Sequence, residues 1–259
     1  MNNKVVNVYN TAISEEDRSK KQSYFMEFYL TKKYLEKVIK KTSRVIELGC
    51  GTGYYAMHFH DKCKQYVGVD IVPMHIAELN KKVKRKDIKN VTGVVGDSTD
   101  VHFENNSFDV VLLLGPMYHL DKKAREKSLL EAKRICKPDG VIVWAYLNKV
   151  AVFSGLVSTY EFRETISKEI IAQIVDKGQD KEGIFFYSTP EDQIALANKY
   201  KLTVLKHIGL DGVGSHSKVV KSMTNRDFKL WAEFVEKTCE LPSSIGANDH
   251  ALIITKNVK

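Results

Sequence analysis

Few cysteines, few prolines and no long apolar run mark this 259-residue chain. Its four cysteines, Cys50, Cys63, Cys136 and Cys239, lie far apart with no C-x-x-C pair. That excludes a disulfide framework and a cysteine-based zinc site, and agrees with free thiols in a reducing cytosol. No apolar stretch approaches the ~18 residues a membrane span needs. The N-terminal MNNKVVNVYN has no apolar h-region, so no secretory signal and no membrane partner are expected, and the location implied is cytoplasmic. Internal repeats and low-complexity segments are absent too. Only 5 prolines and 15 glycines punctuate the chain, and 43% of it is hydrophobic, which suits a folded globular protein. The length suits one large α/β domain with a substantial cap.

Charge excludes less. The excess of 40 basic over 32 acidic residues gives +8, which permits a nucleic-acid partner without arguing for one. The densest basic run, NKKVKRKDIKN over 80–90, reads as the solvated end of a helix, where cations meet the negative end of the helix dipole.

What is present is alternation. RVIELGC (44–50), QYVGVDI (65–71), NVTGVVGD (90–97), FDVVLLLG (108–115) and VIVWAYL (141–147) read as strands. Between them lie the helical segments YYAMHFHDKC, MHIAELNKKVKR and DKKAREKSLLEAKRIC, and a turn at KPDG. This is the pattern of a parallel sheet covered by helices on both faces. The rhythm breaks over 148–188, where Phe162, Ile166, Ile170 and Ile174 form one i+4 row that stops near Gly178. It resumes with a helix capped by Thr189 and begun by Pro190. A sixth strand (201–209) and a seventh (250–256) follow, separated by a second insert with Phe228, Trp231 and Val235 on one helix face. An aromatic-rich helical arm, roughly 15–40, precedes everything.

The strongest chemical signal is E-L-G-C-G-T-G at 47–53. A glycine-rich turn after a first parallel strand lets backbone approach a ligand closely and aims helix N–H groups at it. Three acids accompany it. Glu47 ends the first strand. Asp70 ends the second, where a carboxylate accepts hydrogen bonds from two ribose hydroxyls. Asp97 ends the third, placed to accept from an adenine amino group. All three lie at carboxyl ends of strands, where open α/β sheets bind ligands. A dinucleotide-binding fold is the rival, but it needs G-x-G-x-x-G. Here Tyr54 stands three residues after Gly51, and Glu47 sits where such folds need no acid.

This set resembles the class I S-adenosylmethionine-dependent methyltransferases, motif by motif over 44–147 and again over 189–209 and 250–256. Within them it is similar to small bacterial proteins with LGP-x-YHL after strand four, often named after ubiquinone/menaquinone-biosynthesis methyltransferases. The resemblance implies a Rossmann-like, doubly wound seven-stranded sheet in the order 3-2-1-4-5-7-6, strand 7 antiparallel. It implies S-adenosyl-L-methionine as cofactor, S-adenosyl-L-homocysteine as product, and no metal. Gly49, Gly51 and Gly53, with Tyr54 beside them, would carry the turn against the methionine part, and Glu47 would serve its amino group. Asp70 would hold the ribose with Ile71 against the adenine. Asp97 and the Ser98 backbone would read the adenine edge. Leu114 and Gly115 would pass close to the sulfonium.

In that strand order both inserts, 148–188 and 210–249, hang over the cofactor edge, and the arm (1–43) joins them as a cap on a single domain, 1–259. An apolar, aromatic cap suits a small organic acceptor and excludes water. RNA or protein substrates, and cofactor binding without turnover, are the alternatives. No RNA-binding signature accompanies the fold, so nucleic acid is not the expected partner; a homodimer is compatible with the sequence. If the acceptor must lose a proton, His119 is the first candidate base, Tyr118 a hydrogen-bonding positioner, and His250 the third candidate, at the start of strand 7. The loop LLLGPMYHL departs from the Asn/Asp-Pro-Pro-Tyr loop of amino-methylating enzymes. Gly115 has no side-chain oxygen, and Met117 replaces the second proline. His58, His60 and Cys63 do not share a helix face and are not expected to hold a metal.

Overall fold

In the computed structural model, residues 6, 24–157, 167–212, 214, 215 and 217–258 are described. The strands are β1 (Arg44–Leu48), β2 (Gln65–Asp70), β3 (Val91–Val95), β4 (Phe108–Leu113), β5 (Cys136–Asn148), β6 (Tyr187–Ser188), β7 (Leu202–Gly209) and β8 (His250–Asn257). The helices used below are α1 (Phe25–Val38), α2 (Tyr54–Phe59), α3 (Pro73–Arg85), α4 (Lys122–Ile135), α5 (Lys149–Val157), α6 (Lys168–Val175), α7 (Pro190–Lys199), α8 (Lys218–Lys221) and α9 (Asn225–Thr238). The sheet runs β3-β2-β1-β4-β5-β8-β7, with the two-residue β6 pairing beside β5. Only β8 is antiparallel to its neighbours. Leaving out β6, this is the expected order, and the expected seventh strand is β8.

Alternation along each strand builds two cores. Val110 and Leu112 of β4 join the layer under α1, α2 and α3; Val111 and Leu113 join the layer under α4 and α7. Period-two side chains on a strand buried from both sides give this split. The Thr189 cap is present as a full capping box: Asp192 N donates to Thr189 Oγ1 at 3.2 Å and Thr189 N to Asp192 Oδ2 at 2.9 Å. The basic run falls where expected, with Lys82, Lys84 and Arg85 in the last turn of α3.

Three local readings change. KPDG is not a turn between elements. It is a bulge inside β5, where the register shifts between Phe108↔Cys136 and Val110↔Val141 and Asp139 takes φ 60°. A local Asp-Gly signal cannot tell a turn from a bulge that continues its strand. The first insert holds α5 and then α6. Ile170 and Ile174 lie in α6, and Gly178 follows it at φ 63°, whereas Phe162 and Ile166 lie outside the described residues. β6, too short to show a period, extends the sheet beside β5.

Candidate active site

The turn after β1 is shaped by what presses on it. Gly49 and Gly53 have φ of 75° and 84°, a region side chains disfavour. Space forbids side chains as well. A Cβ on Gly49 would lie 2.6 Å from Pro116 Cδ, and one on Gly53 2.3 Å from Leu79 Cδ1. Pro116 starts the single 3-10 turn Pro116–Tyr118 that ends β4's exit, so the β1 and β4 loops pack directly on each other. Gly51 N donates to Asp70 Oδ2 at 2.8 Å, and Val72 N to Asp70 Oδ1 at 2.9 Å. His75 Nδ1 stands 3.2 Å from the same Oδ1. Asp70, 7% exposed, thus ties the end of β2 to the glycine turn, with Ile71 next to it. At the end of β3, Asp97 Oδ1 accepts from Thr99 N (2.8 Å) and Thr99 Oγ1 (2.9 Å), which bends the chain back around the buried Ser98.

Glu47 is a buried carboxylate that accepts from Tyr66 Oη–H at 2.7 Å. Burial, reinforced by the Glu47 charge, pushes the Tyr66 hydroxyl well above the usual tyrosine range. The hydroxyl stays protonated and solvates the acid. Tyr54 opens α2 edge-on to Phe28 of α1, ring centroids 4.7 Å apart.

One pocket lies along this edge of the sheet. Its floor comes from strand ends: Glu47 and Gly49 after β1, Leu114, Gly115 and Tyr118 after β4, Ala145 of β5, Leu210 after β7 and His250 of β8. Glu27, Phe28 and Thr31 of α1, with Tyr55 of α2, close it from above. Four expected cofactor residues and two expected reactive ones therefore share a cavity. Asp70, Ile71, Asp97 and Ser98 lie further along the same edge, at β2 and β3. Gly51, Gly53 and Tyr54 are not among the pocket's lining residues.

His119 is not among the lining residues. It is buried at 8% exposure, with Nδ1 3.0 Å from the Ile184 carbonyl, which can only accept. Its ring packs on Phe185 at 4.9 Å, and Phe186 N donates to the Tyr118 carbonyl at 2.8 Å. Burial pushes the His119 pKa below the ordinary histidine value. The Tyr118–His119 pair thereby fastens the β4 loop to the first insert.

His250 has a partner that the sequence reading missed. Its Nδ1 lies 2.9 Å from Asp211 Oδ1, and its backbone N donates to Asp211 Oδ2 at 2.6 Å. Asp211 is 2% exposed. Glu27 completes a cluster in which Glu27, Asp211 and His250 each bring one polar atom within 4.8 Å of the others. Asp211 was detectable. It follows β7, a parallel strand, at the same edge as Asp70 and Asp97, and the rule that singled those out applies to it equally. Glu27 gave no signal, because its place depends on how α1 docks. His75 was likewise missed, though it lies five residues after Asp70 on the first turn of α3.

Comparisons with known proteins agree with this geometry. Residues 45–140 match the model of a methyltransferase domain family. An uncharacterized methyltransferase of Schizosaccharomyces pombe is 29% identical over 117 residues, covering 42% of this chain and 41% of that protein. Among solved structures, a Thermotoga maritima methyltransferase described as a possible histamine N-methyltransferase superposes with a TM-score of 0.58 at 17% identity, covering 98% of this chain and 99% of that one. A geranyl diphosphate C-methyltransferase of Streptomyces coelicolor, solved with Mg2+, geranyl diphosphate and S-adenosyl-L-homocysteine, gives 0.59 at 14% identity, covering 89% and 79%. These likenesses carry the fold. The chain spans 32–62% of the length of a set of curated relatives that includes the Schizosaccharomyces pombe protein. The glycine turn, the strand order and the family match thus agree on a methyltransferase domain over residues 45–140.

Proposed function

We propose that this protein is a cytosolic methyltransferase that moves the methyl group of S-adenosyl-L-methionine onto a small organic acceptor held beneath a cap. The observation that carries this reading is the pocket that joins Glu47 and Gly49 to Tyr118 and His250 under α1. The chain is read as one domain, its cap formed by the arm (1–43) and the inserts 148–188 and 210–249. Glu27 and Phe28 from the arm and Leu210 from the second insert support that reading, as does the Tyr118–Phe186 bond to the first.

The residues fit the cofactor. A buried carboxylate suits a cationic neighbour, so Glu47 fits an α-amino group. A Cβ on Gly115 would come within 3.2 Å of the Gly49 carbonyl, so bare backbone forms the wall where the methyl donor must approach. Asp70 would hold the ribose with Ile71 against the base, and Asp97 with the Ser98 backbone would read the adenine edge. When bound, the cofactor supplies a methyl group on a sulfonium, transferred by in-line displacement. The protein's main task is alignment, worth about 7–11 kcal/mol when the reacting atoms are well held. Tyr118 positions the acceptor. His250, oriented by Asp211, takes its proton where one must leave, a contribution of ~10²–10⁴-fold. His119 acts as the anchor of the β4 loop, not as the base.

Calorimetry with S-adenosyl-L-methionine tests the assignment of the cofactor site. Asp70→Asn keeps the side-chain shape and should weaken binding by about 10–100-fold, the ~1.5–3 kcal/mol typical of hydrogen bonds to a charged group. Wild-type affinity in a folded Asp70→Asn protein removes the ribose role.

A further inference from the structure

The acceptor end of the pocket has a charge that runs against the rest of the molecule. The chain carries +8, yet among the described residues no lysine or arginine lines this cavity, while two carboxylates, Glu47 and Glu27, do. Asp211, a third, stands behind His250 at 2.9 Å. Phe28, Tyr55 and Tyr118 also line the cavity. Glu47 is accounted for at the cofactor. Glu27 lies instead beside His250 and Asp211, with polar atoms within 4.8 Å.

We infer that the acceptor is a small primary or secondary amine that enters as its ammonium ion. This rests on the methyltransferase reading above and extends it to the substrate class. A carboxylate next to aromatic rings in a water-poor cavity recognises a cation through both charge and ring quadrupoles. An anionic acceptor, such as a diphosphate or a carboxylate, would face the Glu27 carboxylate there. Glu27 is the specificity-determining residue, and the Asp211–His250 pair deprotonates the bound cation. The ammonium gives one proton to Nε2 of His250, whose Nδ1–H is held by Asp211. The freed nitrogen lone pair forms the new bond to the methyl carbon. The carbon–sulfur bond breaks with its electron pair remaining on sulfur, which becomes a neutral thioether. The positive charge passes to the methylated nitrogen, and His250 returns its proton to solvent.

Three probes of one shape separate the headgroup from the body: phenethylamine, phenethyl alcohol and phenylacetate. Each is titrated by calorimetry into protein saturated with S-adenosyl-L-homocysteine, and methylation is followed separately by mass spectrometry. The amine should bind at least tenfold more tightly than the alcohol, with phenylacetate weakest. Glu27→Gln should erase the amine's advantage while leaving S-adenosyl-L-homocysteine and alcohol binding unchanged, which also shows that the variant is folded. Equal affinity for the three probes overturns the inference. So does a Glu27→Gln protein that loses S-adenosyl-L-homocysteine affinity, because Glu27 then serves the cofactor. Binding of Mg2+ or Mn2+ that is abolished by Glu27→Gln also overturns it, because the cluster is then a metal site. Failure to bind S-adenosyl-L-homocysteine at all defeats the methyltransferase reading itself and is distinct from these outcomes.

Discussion

His119 and His250 both stand at the edge where the parallel strands end, and their surroundings give them different work. His119 spends Nδ1 on a backbone carbonyl and its ring on Phe185. An asparagine at 119 keeps a donor near the position of Nδ1 while removing Nε2. In His119→Asn, turnover should therefore escape the ~10²–10⁴-fold loss that follows removal of a general base, whereas His250→Asn should suffer it. Steady-state rates of both variants on any accepted amine decide the matter, and a large kcat loss in His119→Asn with an unchanged melting temperature reverses the assignment. Sequence alone puts His119 first, because motif position points to the loop and says nothing about which way a side chain turns. Asp211 shows the opposite case. Its place at the edge was legible from strand order, since an acid at the carboxyl end of a parallel strand is the same signal at β7 as at β2.

Among the elements, α1 and α9 hold the cap together. Tyr29 Oη–H donates to Glu236 at 2.8 Å, Lys33 pairs with the same carboxylate, and Tyr34 reaches Glu240 at 2.7 Å. The ion pair is about a third exposed on each side, so it adds little to stability. The aromatic contacts weigh more. Phe25 meets Phe228 edge-on at 5.5 Å, and Phe228 packs on Trp231 at the same distance. Trp231 also bears on the backbone at Gly212, where an added Cβ would lie 2.9 Å from its ring. Trp231→Ala should cost about 2–3 kcal/mol in urea unfolding, below the range for fully buried tryptophan because this one is half-buried. It should also raise amide exchange in α1 and α9 more than in the sheet. Uniform exchange across the chain would mean that the cap and the sheet open as one unit. The amphipathic face of α9 was readable from its period. Its docking on α1 was not, because a helix pattern gives a face and not a partner.

At the scale of the molecule, the strands and the glycine turn were legible because continuous apolar runs and turn residues are local signals, whereas the strand order came with the family resemblance they carry. The cap geometry was not, since it depends on tertiary contacts between distant segments. The folded chain also sets an acid-side stability limit. Burial holds His207 down to about 4, and its Nε2 lies 2.9 Å from the Tyr146 hydroxyl, which is kept protonated chiefly by burial. Burial likewise lowers His119. Both histidines stay neutral in the native state at pH values where unfolded histidine, near ~6.5, takes up a proton. The unfolded chain then binds more protons, so stability is full above ~6.5 and falls as pH drops toward 4, by up to about 3 kcal/mol for His207. Urea midpoints between pH 7 and 4.5 should show this slope, and His207→Asn should flatten it; an unchanged slope assigns the effect to other groups. The contact of Pro116 with Gly49 has a last consequence. Two loops distant in sequence share one volume, so neither can drift alone. Even with a smaller residue at 116, a side chain at 49 would still carry the strain of φ 75°, so the first motif depends on the second while the second can change without the first.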